Sequence, residues 1–235
     1  MIDFLNGLIA FMIYIIPMAI IMLSVRAFTK IPDELFRKIL HCIFLGAYIP
    51  LLFGFKVWWH SVIFIISLAI ILFPILIIAG KIPEFSAFVN ERRRGEFTNS
   101  MVLALGVMAV STSIGWGIFN DKFLVLASVY AWGVGDAFAA LIGKRFGKHK
   151  ISWKFVDNKK SVEGSLAMVV CSTIAVFIVL LVRGGMNPIL TLAISLLVSL
   201  ASAFVELCSR GGYDTIFCPA ISMVILIPLL TLLGG

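Results

Sequence analysis

Eight long apolar runs divide the chain and limit its fold more than any other feature of the sequence. A helix needs about 20 predominantly apolar residues to cross the hydrocarbon core of a bilayer, and each run comes near that length. Hydrophobic residues make up 61% of the 235 residues and charged residues only 13%. The sequence therefore predicts an all-α, polytopic integral membrane protein, with a single transmembrane domain over residues 1–235. The runs are Phe4–Val25, Ile39–Phe55, Val57–Ala79, Met101–Phe119, Phe123–Ile142, Leu166–Val182, Ile189–Val205 and Ile216–Leu233.

The positive charges are distributed unevenly between the connections. All of the 19 Lys and Arg residues except Lys56, Lys122 and Arg183 lie in the connections after the first, third, fifth and seventh runs. Because cytoplasmic connections carry the excess of Lys and Arg, these four are predicted to be cytoplasmic and both termini to lie on the opposite side. The net charge of +7 then reflects membrane orientation, and the predicted partners include membrane lipids but no nucleic acid.

The stretch from Gly133 to Ser165 begins as an apolar helix and ends as a basic loop. Asp136 lies in the apolar part, where a carboxylate is costly and usually faces the protein interior. It shares one helical face with Gly143 and Gly147, and such small residues let another backbone or a ligand approach closely. A carboxylate, glycines and many cations together indicate a site for a metal-bound polyphosphate. The polar residues and glycine that follow include Lys144, Lys159, Lys160, Ser161, Glu163 and Gly164.

Two shorter basic blocks each allow two interpretations. Arg37, Lys38 and His41 lie together at the start of the second run, where they either contact phosphate or anchor the helix at the membrane surface. The block Arg92–Arg94 is followed by Gly95 and Glu96. Arginine forks bind phosphate groups through two hydrogen bonds, but three adjacent arginines also bind anionic lipid.

Acidic residues near the end of the chain offer ligands for a hard cation. Glu206 ends the seventh run and Asp214 precedes the eighth. Together with Asp136 they provide the carboxylate oxygens that Mg²⁺ prefers, usually in combination with substrate phosphates. The alternative for Asp214 is a turn or helix cap after two glycines. Ser161 and Glu163 likewise allow either helix capping or a phosphate at the helix N-terminus.

These blocks resemble the dolichol kinase/phytol kinase family of CTP-dependent membrane lipid kinases, which is related to phosphatidate cytidylyltransferases. The resemblance covers RKILH at 37–41, RRRGE at 92–96, GDAFAALIGKRFGK at 135–148, KKSVEGS at 159–165 and ELCSRGGYDTIFCP at 206–219. The long block at 135–148 is the most specific. One departure is Thr215, which replaces the usual Asn of the last block.

The resemblance implies CTP as the phosphoryl donor, Mg²⁺ as the cofactor, and a long-chain lipid alcohol as the acceptor. The expected catalytic residues are Asp136, His41 and Lys160, with Asp136 and His41 as candidates for the general base. Mg²⁺ is expected on Asp136, Glu206 and Asp214. The expected CTP-binding residues are Arg37, Lys38, Arg92, Arg93, Arg94, Glu96, Gly143, Lys144, Gly147, Lys159, Ser161, Glu163 and Gly164.

Two other functions remain open from the sequence. A phosphatidate cytidylyltransferase uses the same donor, but its signature near the C-terminus, a Lys-Asp pair and a His-Gly-Gly run before an Asp, is absent here. A transporter is expected to show paired broken helices and charges in mid-membrane, whereas the charges here lie mainly on one side. The oligomeric state is open between a monomer and a homodimer.

Overall fold

The computed structural model describes residues 2–83, 85, 88, 95–152, 156, 160–209 and 211–234. The elements within these ranges are helices, and the β-type pairing there is one isolated antiparallel bridge between Lys150 and Ser161. Eight helical segments of the described residues are long and apolar enough to span a membrane. The predicted all-α, polytopic membrane fold is therefore confirmed.

The chain divides into two compact units, residues 1–117 and 118–235. In the first unit, α2 and α3 together form one membrane span, because the helix is interrupted at Ala47. Pro50 has no N–H to donate to the carbonyl of Gly46 and its ring crowds that carbonyl, which explains the interruption. The helices are α1 (Ile2–Phe28), α2 (Asp33–Gly46), α3 (Tyr48–Phe53), α4 (Trp58–Ala79) and α5 (Glu96–Thr112), followed by a π-helical segment, Ser113–Ile118.

The N-terminal helix of the first unit is tied to the connection between α3 and α4. The Asp3 carboxylate accepts a hydrogen bond from the backbone N–H of Lys56 at 2.9 Å, and it lies 2.5 Å from Nδ1 of His60. The two side chains are only 17% and 15% exposed. His60 is therefore part of a structural contact that joins α1 to the start of α4.

In the second unit, α6 is the central helix and packs against α7, α8 and α9. Side chains cap the starts of three helices, as the sequence favours at N-termini. Asp121 accepts from two N–H groups at the start of α6, Ser161 from Gly164 N at 3.2 Å, and Asn187 from Leu190 N at 2.8 Å. The helices are α6 (Lys122–Phe146), α7 (Val162–Arg183), α8 (Pro188–Cys208) and α9 (Asp214–Leu233).

The four helices of the second unit extend beyond the apolar runs that predict them. For example, α6 continues from Ile142 to Phe146, and α7 begins at Val162 rather than Leu166. The added turns are polar or glycine-rich, and such residues continue a helix into the interfacial region without an apolar signal in the sequence. As a result, Lys144, Glu163 and Glu206 belong to helix ends rather than to loops.

Arg183 stabilises the end of the second unit at which α6 begins and α7 and α9 end. Arg183 Nε donates to Asp121 Oδ2 at 2.6 Å, and Nη1 of Arg183 donates to the carbonyl of Gly234 at 3.1 Å. These contacts join the start of α6, the end of α7 and the end of α9. Arg183 therefore fixes three helices of the second unit to one another at this end.

Candidate functional site

Three carboxylates and a lysine of the second unit form a group that we call the acidic cluster: Asp136 in the C-terminal half of α6, and Lys160, Glu206 and Asp214 at or beside the ends of other helices. The charges of Asp136 and Asp214 both act electrostatically on Glu206, as does the ammonium of Lys160. Each residue comes from a different segment: α6, the residue before the N-cap of α7, the end of α8 and the start of α9. The fold thus brings together four of the residues predicted to act on phosphate or metal.

Lys160 is held within this cluster by three acceptors. Its Nζ lies 2.9 Å from Glu206 Oε1, and it donates to the backbone carbonyl of Glu206 and, at 3.3 Å, to that of Ser209. The last carbonyls of a helix have no partner within the helix, so Lys160 also stabilises the C-terminus of α8. The Lys160 and Glu206 side chains are only 19% and 13% exposed, so this ion pair is largely buried rather than solvent-exposed.

Asp214 is oriented by a residue that the sequence did not single out. The indole Nε1–H of Trp132 donates to Asp214 Oδ2 at 3.0 Å, across 82 positions of sequence. Trp132 precedes Asp136 by one helical turn, so both side chains point to the same side of α6. The spacing of four residues from Asp136 is the only sequence signal that points to Trp132 as a site residue. Aromatic residues are common in apolar helices, so this spacing alone does not single it out.

Glu163 organises the loop between α6 and α7. Its carboxylate accepts from the backbone N–H groups of Lys148 and His149, both at 3.2 Å, and lies 2.7 Å from Nδ1 of His149. The sequence presents His149 as isolated, whereas the structure pairs it with this carboxylate. Ser161 caps α7, which confirms the capping interpretation of that residue. Roles for Glu163 and Ser161 toward CTP stay predictions.

The predicted small face of α6 lies against the start of α7. A Cβ atom on Gly164 would be 2.9 Å from the carbonyl oxygen of Ala139 and 3.2 Å from the Cα of Gly143. A Cβ on Gly147 would be 2.6 Å from Oγ of Ser161. Of the two alternatives left open by the sequence, the close approach is therefore made by another backbone. Contacts of Gly143, Gly147 and Gly164 with CTP remain predictions.

We expect Gly164→Ala to lower the thermal stability of the protein in detergent by an amount equivalent to about 1–3 kcal/mol, because the added methyl group must displace backbone atoms. The matched control is Gly106→Ala in α5, where a Cβ meets nothing within 4 Å. Thermal unfolding of both variants, followed by loss of monodisperse protein, measures the difference. Equal melting temperatures for the two variants would show that α6 and α7 can move apart at no cost.

The basic residues predicted at the second apolar run belong to the first unit. Arg37 forms an ion pair with Glu34 one turn earlier in α2. Lys38 is buried, with 6% of its surface exposed. His41 is half-buried in the same helix. Participation of Arg37, Lys38 and His41 in a CTP site stays a prediction, as does that of Glu96, the first residue of α5.

Four predicted CTP-binding residues lie outside the described residues, so the structure does not test them: Arg92, Arg93, Arg94 and Lys159. Lys144 is described and lies exposed in the last turn of α6. From this exposed position, the Lys144 ammonium can reach either a bound ligand or the membrane surface.

The acidic cluster supplies carboxylate oxygens for Mg²⁺ but not a complete set of protein ligands. Within the described ranges, no group of three or more His, Cys, Asp or Glu side chains is arranged to hold a metal ion. Glu206 and Asp214 are instead engaged by Lys160 and Trp132. Mg²⁺ commonly binds through one or two carboxylates and completes its shell with substrate phosphates and water. The donor set therefore suits an ion that arrives with a polyphosphate rather than a complete protein cage.

The fold and the cluster define a class of protein: a polytopic membrane protein in which a lysine and three carboxylates from different helices lie within one helical unit. Residues 2–209 match the model of the cytidylyltransferase family. The chain belongs to this family.

A comparison with curated proteins gives a relative of known activity. The chain is 29% identical over 175 residues to the phytol kinase of Synechocystis sp., and the alignment covers 73% of this chain and 69% of that kinase. No solved structure matches the chain. Together the family model and this relative confirm the predicted resemblance to the dolichol kinase/phytol kinase family.

Proposed function

We propose that this protein transfers the γ-phosphate of CTP to the hydroxyl group of a membrane lipid alcohol. The observation that carries the proposal is the acidic cluster, where Lys160 pairs with Glu206 at 2.9 Å and the charges of Asp136 and Asp214 act on the same glutamate. Similarity to a phytol kinase and membership of the cytidylyltransferase family support the donor and the class of acceptor. Within this class we favour a long-chain isoprenoid alcohol.

The proposed reaction is an in-line displacement at phosphorus. The lipid hydroxyl oxygen forms a bond to the γ-phosphorus, the bond from that phosphorus to the β–γ bridging oxygen breaks, and CDP leaves. The hydroxyl proton passes to a general base, for which Asp136 and His41 are the candidates. Phosphoryl transfer depends mainly on positioning and on neutralising charge, so the chain needs cations and carboxylates more than a nucleophile.

The described residues suggest how these tasks are divided. Mg²⁺ bound by Asp136 with Glu206 or Asp214 would neutralise part of the triphosphate charge. Lys160 supplies a cation beside the same carboxylates, and Trp132 holds Asp214 in position. Glu163 fixes the loop that carries Lys148, and so limits the positions from which this loop presents its charge.

Further cations are proposed to contact the phosphates: Arg37, Lys38, Arg92, Arg93, Arg94, Lys144 and Lys159. We also propose that Glu96 and Ser161 take part in the CTP site, that the site faces the cytoplasm, where nucleotides are available, and that both termini lie outside. The distribution of Lys and Arg along the sequence supports this orientation. Whether the enzyme works as a monomer or a homodimer is open to measurement by light scattering in detergent.

The test uses CTP labelled either at the γ- or at the α-phosphate, together with a panel of lipid alcohols and phosphatidate. A kinase transfers the γ-label to an alcohol and leaves the α-label in CDP. A phosphatidate cytidylyltransferase, the second candidate because of the family match, transfers the α-label to phosphatidate and releases the γ-label in pyrophosphate. Transfer of the α-label alone would overturn the kinase proposal.

The same assay in sealed vesicles of known orientation tests the sidedness. CTP added to the outside of inside-out vesicles should support phosphorylation, and CTP added outside right-side-out vesicles should not. ATP, GTP and UTP serve as competing donors at equal concentration. A clear preference for ATP would contradict the proposed donor.

A further inference from the structure

An apolar groove lies between the end of α8 and the start of α9. Its volume is about 500 Å³, within the range of about 300–1,000 Å³ typical of small-molecule sites. Three aromatic side chains of its wall are more than half exposed: Phe204 and Phe217 on membrane-spanning helices, and Tyr213 immediately before α9. The lining residues are Phe204, Val205, Cys208, Ser209, Gly211, Tyr213 and Phe217.

The same two helix ends line the groove and supply the acidic cluster. The last turns of α8 place Val205 and Cys208 on the groove, while Glu206 between them pairs with Lys160. At the start of α9, Tyr213 and Phe217 line the groove, whereas Asp214 accepts from Trp132. The groove and the two carboxylates therefore share the same two chain segments, with Glu206 and Asp214 each next to a lining residue in sequence.

One residue connects the two environments directly. Ser209 lines the groove, and its backbone carbonyl accepts a hydrogen bond from Lys160 Nζ at 3.3 Å. Ser209 therefore lies between the groove and the lysine of the acidic cluster. A ligand that fills the groove must be apolar along its length, because the lining is almost entirely apolar.

We propose that this groove binds the hydrocarbon chain of the acceptor alcohol next to its hydroxyl group, and so selects the substrate by the shape of its first few chain carbons. The wall offers almost no polar group, so CTP and its phosphates do not suit it. Exposed aromatic side chains on a membrane span suit a hydrocarbon chain that arrives sideways from the bilayer. This inference rests on the proposed function for the identity of the lipid.

The first test fills the groove from one side. Val205→Trp places a large side chain in the groove without touching a carboxylate. Leu197→Trp, on a half-exposed part of the same helix outside the groove, is the matched control. Because the chain comes from the bilayer rather than from water, the expected effect is steric: the indole occupies the space proposed for the first chain carbons, and the KM for a long-chain alcohol should rise at least about tenfold. The KM for CTP should not change, and Leu197→Trp should stay within about twofold of wild type.

The second test measures binding without turnover and does not need a folded variant. A C20 alcohol with a diazirine on its first chain carbons is photolysed with wild-type protein, and the crosslinked peptides are identified by mass spectrometry. We expect crosslinks at residues 204–217, several-fold more than with the matching alkane that lacks the hydroxyl. Equal labelling by the alkane would mean that the groove holds any membrane chain, and it would overturn the proposal.

The outcomes separate this inference from the proposed function. If alcohols are phosphorylated but Val205→Trp and Leu197→Trp behave alike, and no crosslink maps to 204–217, the groove proposal is wrong and the kinase proposal stands. If no alcohol is phosphorylated but the alcohol probe labels the groove in preference to the alkane, the groove binds alcohols and the kinase proposal is wrong. If no alcohol is phosphorylated and no probe labels the groove in preference to the alkane, both the kinase proposal and the groove proposal are wrong.

Discussion

Asp136→Asn should abolish phosphorylation while leaving the protein folded in detergent. Asp136 is half-buried in α6, and its charge acts on Glu206 at the end of α8. If it binds the metal or accepts the proton, its loss removes several kcal/mol of stabilisation of the transition state. At about 1.4 kcal/mol per tenfold, kcat should fall roughly a thousandfold or more. The measurement is single-turnover transfer of γ-label from CTP, with the melting temperature recorded for the same sample.

The matched control is Asp33→Asn, an acid-to-amide change of the same size on the same predicted side of the membrane. Asp33 lies at the start of α2, 59% exposed, in a surface ion pair with Arg26. Exposed pairs contribute about 0–1 kcal/mol, so this variant should keep activity within about twofold of wild type. Near-normal turnover of Asp136→Asn would reduce Asp136 to a structural polar residue and remove the centre of the proposed site.

Lys160→Ala should lower kcat/KM for CTP by roughly 10- to 150-fold. A charge-assisted hydrogen bond to phosphate contributes about 1.5–3 kcal/mol, and tenfold corresponds to about 1.4 kcal/mol. The structure adds a second effect, because Lys160 also pairs with Glu206 and binds two carbonyls at the end of α8. The melting temperature should therefore fall together with the catalytic efficiency.

Kinetics and a double-mutant cycle separate the two effects. A phosphate contact predicts a higher KM for CTP with an unchanged KM for the lipid, whereas a purely structural lysine changes both together. In the cycle of Lys160→Ala and Glu206→Gln, we expect a coupling in stability of about 1–3 kcal/mol, as for groups in direct contact. Lys150→Ala, an exposed lysine in the same loop, should change kcat/KM by less than about threefold. Equal effects of both lysines would contradict the site at Lys160.

The membrane fold could be predicted from the sequence because its signal is local. Eight apolar runs are long enough to cross a bilayer, and each corresponds to a span in the structure. Position 136 could be recognised in the same way, since a carboxylate within an apolar run is rare and costly. The residues at which the helices begin and end were harder to predict from the sequence. Glu206 and Glu163 lie inside helices, although the apolar run stops directly before Glu206 and starts three residues after Glu163.

Contacts between helices were decided by the tertiary structure alone. Trp132 and Asp214 are 82 positions apart, and Lys160 and the carbonyl of Glu206 are 46 apart. Periodicity gives the face on which each side chain lies, but the residue opposite depends on how far and at what rotation one helix packs against another. Between α6 and α7, that register includes the close approach at Gly164 and Gly143. The sequence thus determined which polar residues lie in or beside the membrane spans, and packing determined which of them interact.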